Sequence, residues 1–330
     1  MGDEEMKKRV LVTGGAGYIG SHTVKMLLDK GYKVSVLDNL SSGHIGAVPK
    51  NTKFYKIDLH YKEKIKKIFM QGKIEAVIHF AGSIEAGFSM VNPRKFYRNN
   101  VANTINLLDS MLDFNIKKLV FSSSAAIFGN PKKIPIGENF EKNPTSVYGR
   151  TKLIVENILD DYDAAYGLKN ISLRYFNAAG AAFNLGEEHK PETHLIPLIL
   201  EVARGERKKI KIFGTDYPTK DGTCIRDYIH VVDLANAHIL ALEKLFKTNH
   251  SYKYNLGSGK GYSVMEVLQM ARKITKCKIP FVEAKRREGD ATEIIADNNK
   301  INKELGWKPK FGLKEMIGDA WDYINHKRKI

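Results

Sequence analysis

Tyr148 and Lys152 stand four residues apart in a run that reads as one helix as far as Tyr162, which puts both side chains on one face. A phenol titrates near 10 and must lose about 3 units, or about 4 kcal/mol, to accept a proton at neutral pH. An ammonium ~6 Å away at an effective dielectric of ~20 supplies ~3 kcal/mol of that. Taken alone, the pair is also what an ordinary exposed helix carries. Upstream, Ser122-Ser123-Ser124 offers a hydroxyl to the same site.

Such groups react together only if the fold brings them to one place. The runs Val10–Val12, Lys33–Leu37, Lys53–Ile57, Ala76–Phe80, Lys118–Phe121 and Ile171–Tyr175 read as strands, alternating with amphipathic segments such as Ile19–Lys30 and Lys62–Gln71. This alternation predicts an α/β fold, a doubly wound parallel sheet with right-handed crossovers. Ligands in such sheets sit beyond the carboxyl ends of the strands. Those ends carry Asp38-Asn39, Asp58-Leu59, Ala81-Gly82 (after Phe80) and Ser122-Ser123-Ser124, which together outline one crevice.

The first strand runs into Thr13-Gly14-Gly15-Ala16-Gly17-Tyr18-Ile19-Gly20. Gly14, Gly17 and Gly20 at a three-residue beat allow a tight turn, close approach to a pyrophosphate, and packing of the next helix on the sheet. The amino end of that helix, at Tyr18 and Ile19, offers N–H groups and a positive dipole end to the phosphates. Asp38 lies about 20 residues on, where a carboxylate accepts hydrogen bonds from the adenosine ribose hydroxyls and repels a 2′-phosphate. The expected cofactor is therefore NAD, whose positive nicotinamide ring would supply the remaining bias on the Tyr148 phenol.

Beyond Asn177 the pattern changes. Ala178–Glu192 reads as a loop rich in Ala, Gly, Glu and His. A helix around Leu195–Arg204, a strand around Lys209–Phe213, a long helix over Val232–Phe246 and a strand at Tyr254–Gly257 follow. We expect a dinucleotide-binding domain over 1–177 and a smaller substrate domain over 178–330, with part of 229–258 folding back onto the first.

The composition, 43% hydrophobic and 27% charged over 330 residues, is that of an ordinary globular protein. No apolar run approaches the ~20 residues that span a bilayer, and Gly2-Asp3-Glu4-Glu5 lacks a secretory pattern. Cys224 and Cys277 are far apart, which argues against a disulfide framework or a cysteine metal site and fits a reducing cytoplasm. The net charge of +16 is dispersed lysine and arginine without a nucleic-acid motif, so neither nucleic acid nor membrane is an expected partner. His79, His194 and His230 lack metal-ligand spacing and read as packing or hydrogen-bonding residues; no metal is expected.

The glycine loop, the serines and Tyr148-x-x-x-Lys152, in this order, resemble the extended branch of the short-chain dehydrogenase/reductase superfamily. Asn99-Asn100-Val101, Leu173-Arg174-Tyr175-Phe176-Asn177, Asp216–Thr223, Arg226-Asp227-Tyr228-Ile229-His230-Val231 and Arg286-Arg287-Glu288-Gly289-Asp290 resemble its nucleotide-sugar epimerase group, from Arg9 to about Trp321. The resemblance implies reversible C4 inversion of a UDP-hexose through a 4-keto sugar, in a homodimer. It implies Tyr148 as base, Lys152 as its pKa-lowering partner and ribose ligand, and Ser124 on the sugar 4-hydroxyl. Asn177, His194, Leu195, Arg226, Arg287, Asp290 and Ile294 would hold the UDP-sugar. Gly14, Gly17, Tyr18, Ile19, Gly20, Asp38, Asn39, Asp58, Leu59, Phe80, Ala81, Gly82, Asn99, Ser122 and Tyr175 would hold the cofactor with Tyr148 and Lys152, Asp58 capping the adenine.

Four positions depart from the group's pattern: Phe128 for a frequent tyrosine, Ile84 for a lysine in some members, His194 for a frequent asparagine, and Ile294 for a bulky tyrosine. Ile294 leaves more room beside the sugar C2 substituent, so UDP-N-acetylhexosamines and UDP-pentoses stand as alternative substrates. A 4,6-dehydratase would need an Asp-Glu pair where this chain has Ala125 and Ala126. A silent NAD-sensing protein on the same fold would typically have lost Tyr148 or Lys152.

Overall fold

Val10, Leu11 and Val12 have no solvent exposure, and the same holds for Ala76, Val77 and Ile78. Strands this apolar on both faces form where helices cover both sides of a parallel sheet. The computed structural model describes residues 8–287 and 289–326. Six strands open the chain: β1 (Arg9–Thr13), β2 (Lys33–Asp38), β3 (Lys53–Lys56), β4 (Ala76–His79), β5 (Lys118–Ser124) and β6 (Lys169–Tyr175). The rest are β7 (Asn177–Ala179), β8 (Ile210–Phe213), β9 (Ile225–His230), β10 (Tyr252–Leu256), β11 (Gly261–Ser263), β12 (Phe281–Ala284) and β13 (Glu293–Ile294).

The main sheet has seven strands in the order β10-β6-β5-β4-β1-β2-β3, all parallel. Helices Tyr18–Asp29 and Val231–Lys247 pack on one face, contributing Val24, Leu27, Leu234 and Leu242 to the core. Helices Lys62–Gly72, Asn103–Asp113 and Val147–Tyr166 cover the other with Ile65, Leu107 and Val155. The chain winds outward from β1 through β2 and β3, then returns to place β4 on the other side of β1. The connections after β1 and β4 therefore leave in opposite directions, and a crevice opens beyond the carboxyl ends of the two strands.

A second core gathers Ile199, Ile212, Tyr228, Leu268 and Ile317 from helices Leu195–Ala203, Val264–Thr275 and Leu313–His326 and from β8 and β9. There β9 pairs with β7, β11 and β13, while β8 pairs with β12. The segment expected to be loop from Ala178 thus begins as strand: β7 pairs in parallel with β9, Asn177 opposite Tyr228. Phe80, expected within the fourth strand, lies just past its end, where Phe80 and Ala81 both donate N–H to the Thr13 carbonyl. That turn shapes one lip of the crevice.

Four buried histidines, His22, His79, His230 and His238, are held below their ordinary value by loss of hydration, at about 4, 3, 4 and 4. The unfolded chain binds these protons near 6.5, so their neutral burial is favourable above that pH and costs stability as pH falls towards 4. Asp227, pushed up to about 6 by burial, offsets one of the four over part of that range. Unfolding free energy should fall by up to about 4 kcal/mol per pH unit near pH 5, read from urea midpoints at pH 7, 6 and 5. A flat pH dependence would show that these rings are charged in the folded state.

Candidate active site

A cavity of about 720 Å³ fills the crevice, within the range of small-molecule sites. One end is the turn after β1. Gly14 has φ +72°, and a Cβ there would come within 2.5 Å of the Ala81 nitrogen. A Cβ on Gly20 would meet the Gly14 carbonyl oxygen at 2.2 Å. The backbone is therefore as close to itself as glycine allows. The helix Tyr18–Asp29 begins with no side-chain cap and no acidic residue in its first turn, which leaves its dipole end open to an anion. Gly17, Tyr18, Ile19 and Gly20 all line the cavity, and the Tyr18 hydroxyl donates to the Gly180 carbonyl at 2.5 Å.

Asp38 ends β2 on the cavity wall. Its two carboxylate oxygens accept from the Ala16 and Leu40 N–H groups at 3.1 and 2.8 Å. One acceptor bond per oxygen leaves further lone pairs on each for ribose hydroxyls. Asp58 faces the cavity beside Leu59, but its carboxylate accepts from Asn39 at 2.6 Å, the His60 N–H at 2.8 Å and Asn103 at 3.3 Å. The carboxylate therefore braces Asn39 and is engaged by protein donors at both oxygens, where an adenine contact was expected. Phe80, Ala81, Gly82 and Asn99 continue the wall, Asn99 donating to the Ser83 hydroxyl at 3.0 Å. These residues fit a dinucleotide: a glycine cradle and an uncapped helix end at one point, a ribose acceptor at the next.

Ser146 caps the helix Val147–Tyr166 by accepting from Gly149 N–H at 3.1 Å, which sets Tyr148 in its first turn. The Tyr148 N–H donates to the Ser89 hydroxyl at 3.0 Å. The phenol faces the cavity with Ser124, its hydrogen-bond partner. Lys152 lies one turn below, its Nζ 5.8 Å from the Tyr148 ring centre and donating to the Ser122 carbonyl at 2.8 Å. Burial holds Lys152 down to about 8, with the Glu156 carboxylate opposing, so it still carries a proton at neutral pH. Burial also raises Tyr148 above its usual range, the Tyr175 phenol adding to this and the Ser124 hydrogen bond acting against it. Loss of hydration thus opposes the lowering expected from Lys152 and the nicotinamide ring together.

Lys152 and Ser122 sit behind the wall, whereas Tyr175 lines it and shares a 2.8 Å hydroxyl contact with Ser122. Behind them Glu156 accepts from Ser123 at 2.6 Å and from Arg174 at 2.6 to 3.2 Å. Asn100 ties the loop after β4 to the catalytic helix, accepting from Ser83 N–H at 2.7 Å and donating to Thr151 at 3.0 Å. Ser89, Asn100 and Glu156 are supports that no motif singled out as site residues.

At the other end lie Asn177, His194, Arg226 and Ile294. Asn177 donates to the Asp227 carbonyl at 2.8 Å, and Ile294 is registered opposite Arg226 across β13 and β9. Arg226 pairs with Asp290 at 2.5 Å, not with adjacent Asp227. Asp227 instead turns inward to accept from Ser258, Gly259 and Ala296. Arg287 also pairs with Asp290, at 2.9 Å, but its side chain is half exposed. Leu195, Arg287 and Asp290 do not line the cavity, whereas Arg226 does. Glu288 lies outside the described residues. His79 bonds to Thr13 and Thr104, and His230 to Asp319 and Val232 N–H, as hydrogen-bonding residues. His194 has other company, described below. Phe128 is buried away from the cavity, with Arg174 over its ring, while Ile84 lines it.

A dinucleotide cradle joined to a Ser-Tyr-Lys centre on a doubly wound sheet defines the reductase-type class of nucleotide-binding folds. The chain belongs to the NAD dependent epimerase/dehydratase family, which matches residues 10–257. It is 50% identical over 317 residues to the UDP-glucose 4-epimerase of Halalkalibacterium halodurans, spanning 95% of each chain. Its fold superposes on UDP-glucose 4-epimerase from Brucella ovis, crystallised with NAD, with a TM-score of 0.93 at 44% identity, over 96% of this chain and 98% of that one. The UDP-Glc/GlcNAc 4-epimerase from Campylobacter jejuni gives 0.86 at 41% identity, over 97% and 99%. Among the described residues no helix is long and apolar enough to cross a membrane.

Proposed function

We propose that the chain is an NAD-dependent UDP-hexose 4-epimerase acting on UDP-glucose and UDP-galactose. The observation that carries this reading is one cavity with the Gly14–Gly20 cradle at one end, Ser124 and Tyr148 between, and Asn177, Arg226 and Ile294 at the other. Bound NAD supplies reversible hydride acceptance at the sugar C4. The protein supplies the proton and the geometry. Tyr148 takes the 4-hydroxyl proton through or beside Ser124, and Lys152 holds positive charge below the phenol. Asn177 and Arg226 hold the nucleotide end, Arg226 braced by Asp290 and through it by Arg287. His194 and Leu195 bound that end. Gripping the diphosphate at this end would let the sugar turn and present its other face to Tyr148 and to the cofactor that Gly14–Gly20 and Asp38 would hold.

Ala125 and Ala126 follow Ser124 on the cavity wall and cannot transfer protons, which favours epimerisation over dehydration. The product should have the mass of the substrate, and a product lighter by one water would overturn this reading. We assign the cofactor to residues 1–177 and the sugar nucleotide mainly to 178–330, in a cytoplasmic enzyme.

The branched Ile294 side chain on the cavity wall supports a second substrate class, the N-acetylhexosamines, alongside the hexoses. Wild type should turn over UDP-N-acetylgalactosamine, and Ile294→Tyr should lower its kcat/KM by about tenfold or more relative to UDP-galactose, the scale of a pocket clash. Equal losses for the two sugars would remove residue 294 as the gate.

The enzyme is further proposed to be a homodimer through the helix carrying Tyr148 and that around Val101–Phe114. Phe88, Met90, Val91 and Tyr97, exposed beside these helices, support it. Sedimentation at micromolar concentration should give twice the 37.2 kDa chain mass. A monomer there would exclude the interface.

A further inference from the structure

The chain is strongly basic, yet the wall between the main cavity and a second one of about 470 Å³ is acidic and histidine-rich. Glu187, His189 and His194 line both cavities. Each presents one ligand-type atom, and the three atoms lie within 4.8 Å of one another. Glu188, Glu192 and Glu201 add further carboxylates around the second cavity.

We propose that Glu187, His189 and His194 bind one divalent transition-metal ion of the zinc class, with a fourth coordination position open to the cavity. Two imidazoles and one carboxylate suit a borderline ion, whereas calcium and magnesium favour shells made of oxygen. A tetrahedral ion with bonds of ~2.0–2.1 Å spaces its ligands ~3.4 Å apart. The widest separation therefore needs to close by little more than an ångström, while His189 Nδ1 and the Glu187 oxygen, already in contact, open to that spacing; both are side-chain adjustments. His194 Nδ1 lies 2.8 Å from a Glu192 carboxylate oxygen. Donation there leaves the His194 Nε2 lone pair for a metal and fixes the ring, as carboxylates behind metal-bound histidines do. His189 Nδ1 already meets the Glu187 carboxylate. On binding, the proton between them passes to solvent and the ion takes its place.

The ligands come from the segment that leads into the helix Leu195–Ala203, and all three lie within eight residues of its start. A bound ion would pin this segment against the cavity wall. The proposal does not depend on which sugar the enzyme turns over, because it concerns ion binding.

The probe is Co²⁺ added to tag-free, NAD-loaded protein, followed by visible absorption and calorimetry. Wild type should take up one equivalent with tetrahedral ligand-field bands, and one equivalent of Zn²⁺ should displace it. Glu187→Gln and His189→Ala should each weaken uptake at least tenfold, while His250→Ala, on an exposed residue far along the chain, should match wild type. Circular dichroism and retained NAD establish that each variant is folded. No saturable Co²⁺ uptake by wild type, or uptake by both cluster variants as tight as wild type, overturns the site.

Discussion

Tyr148→Phe should lower kcat for UDP-galactose by about 10³-fold, within the span that a positioned general base contributes, while the variant keeps its bound NAD. The ring packs with Val147 and Phe96, so removing the hydroxyl leaves the apolar contacts in place. What is lost is the proton acceptor beside Ser124. In the protein without cofactor, burial favours the neutral phenol, and Lys152 stands 5.8 Å from its ring centre. At an effective dielectric of ~20 an ammonium at that distance offsets only about 3 kcal/mol. On the proposed mechanism, phenolate formation would therefore draw on the additional positive charge of NAD⁺, coupling proton abstraction to cofactor occupancy. A Tyr148→Phe variant that is folded, NAD-loaded and as fast as wild type would remove the base from the mechanism.

Gly20→Ala should abolish tight NAD retention. The added methyl would lie 2.2 Å from the Gly14 carbonyl oxygen, a clash with backbone that no side-chain rotation relieves. Either the turn after β1 opens or the helix Tyr18–Asp29 lifts from the sheet. Both move the helix end away from the pyrophosphate position. Overpacking of this kind costs about 1–3 kcal/mol, so the melting temperature should fall as NAD affinity drops more than tenfold. Gly167→Ala provides the contrast: its site has φ +67° but open space for a Cβ. It should cost stability without changing NAD affinity. If Gly20→Ala retained NAD like wild type, the glycine beat would be a plain turn.

The parallel sheet was legible because its central strands, such as β1 and β4, are buried on both faces and read as apolar runs. The same physics hid β7. Three residues of Asn and Ala carry no periodicity, and the strand exists only because β9, some fifty positions later, pairs with it. Adjacency does not give the partner of Arg226. Neighbouring residues of a strand point to opposite faces, so Asp227 turns inward and the partner of Arg226 is Asp290, 64 positions away. Lys152 was correctly spaced from Tyr148, but the sign of the Tyr148 shift depends on burial, which spacing does not encode. The meeting of Glu187, His189 and His194 follows from loop conformation, and a Glu-x-His pair five residues before a histidine was the available signal.

The central claim is tested most directly with UDP-galactose deuterated at C4. The account predicts UDP-glucose of unchanged mass, with the deuterium retained at C4, because hydrogen leaves that carbon for the bound cofactor and returns to it on the opposite face. Wash-out of the label into solvent, a product lighter by one water, or no conversion by folded, NAD-loaded protein would contradict it.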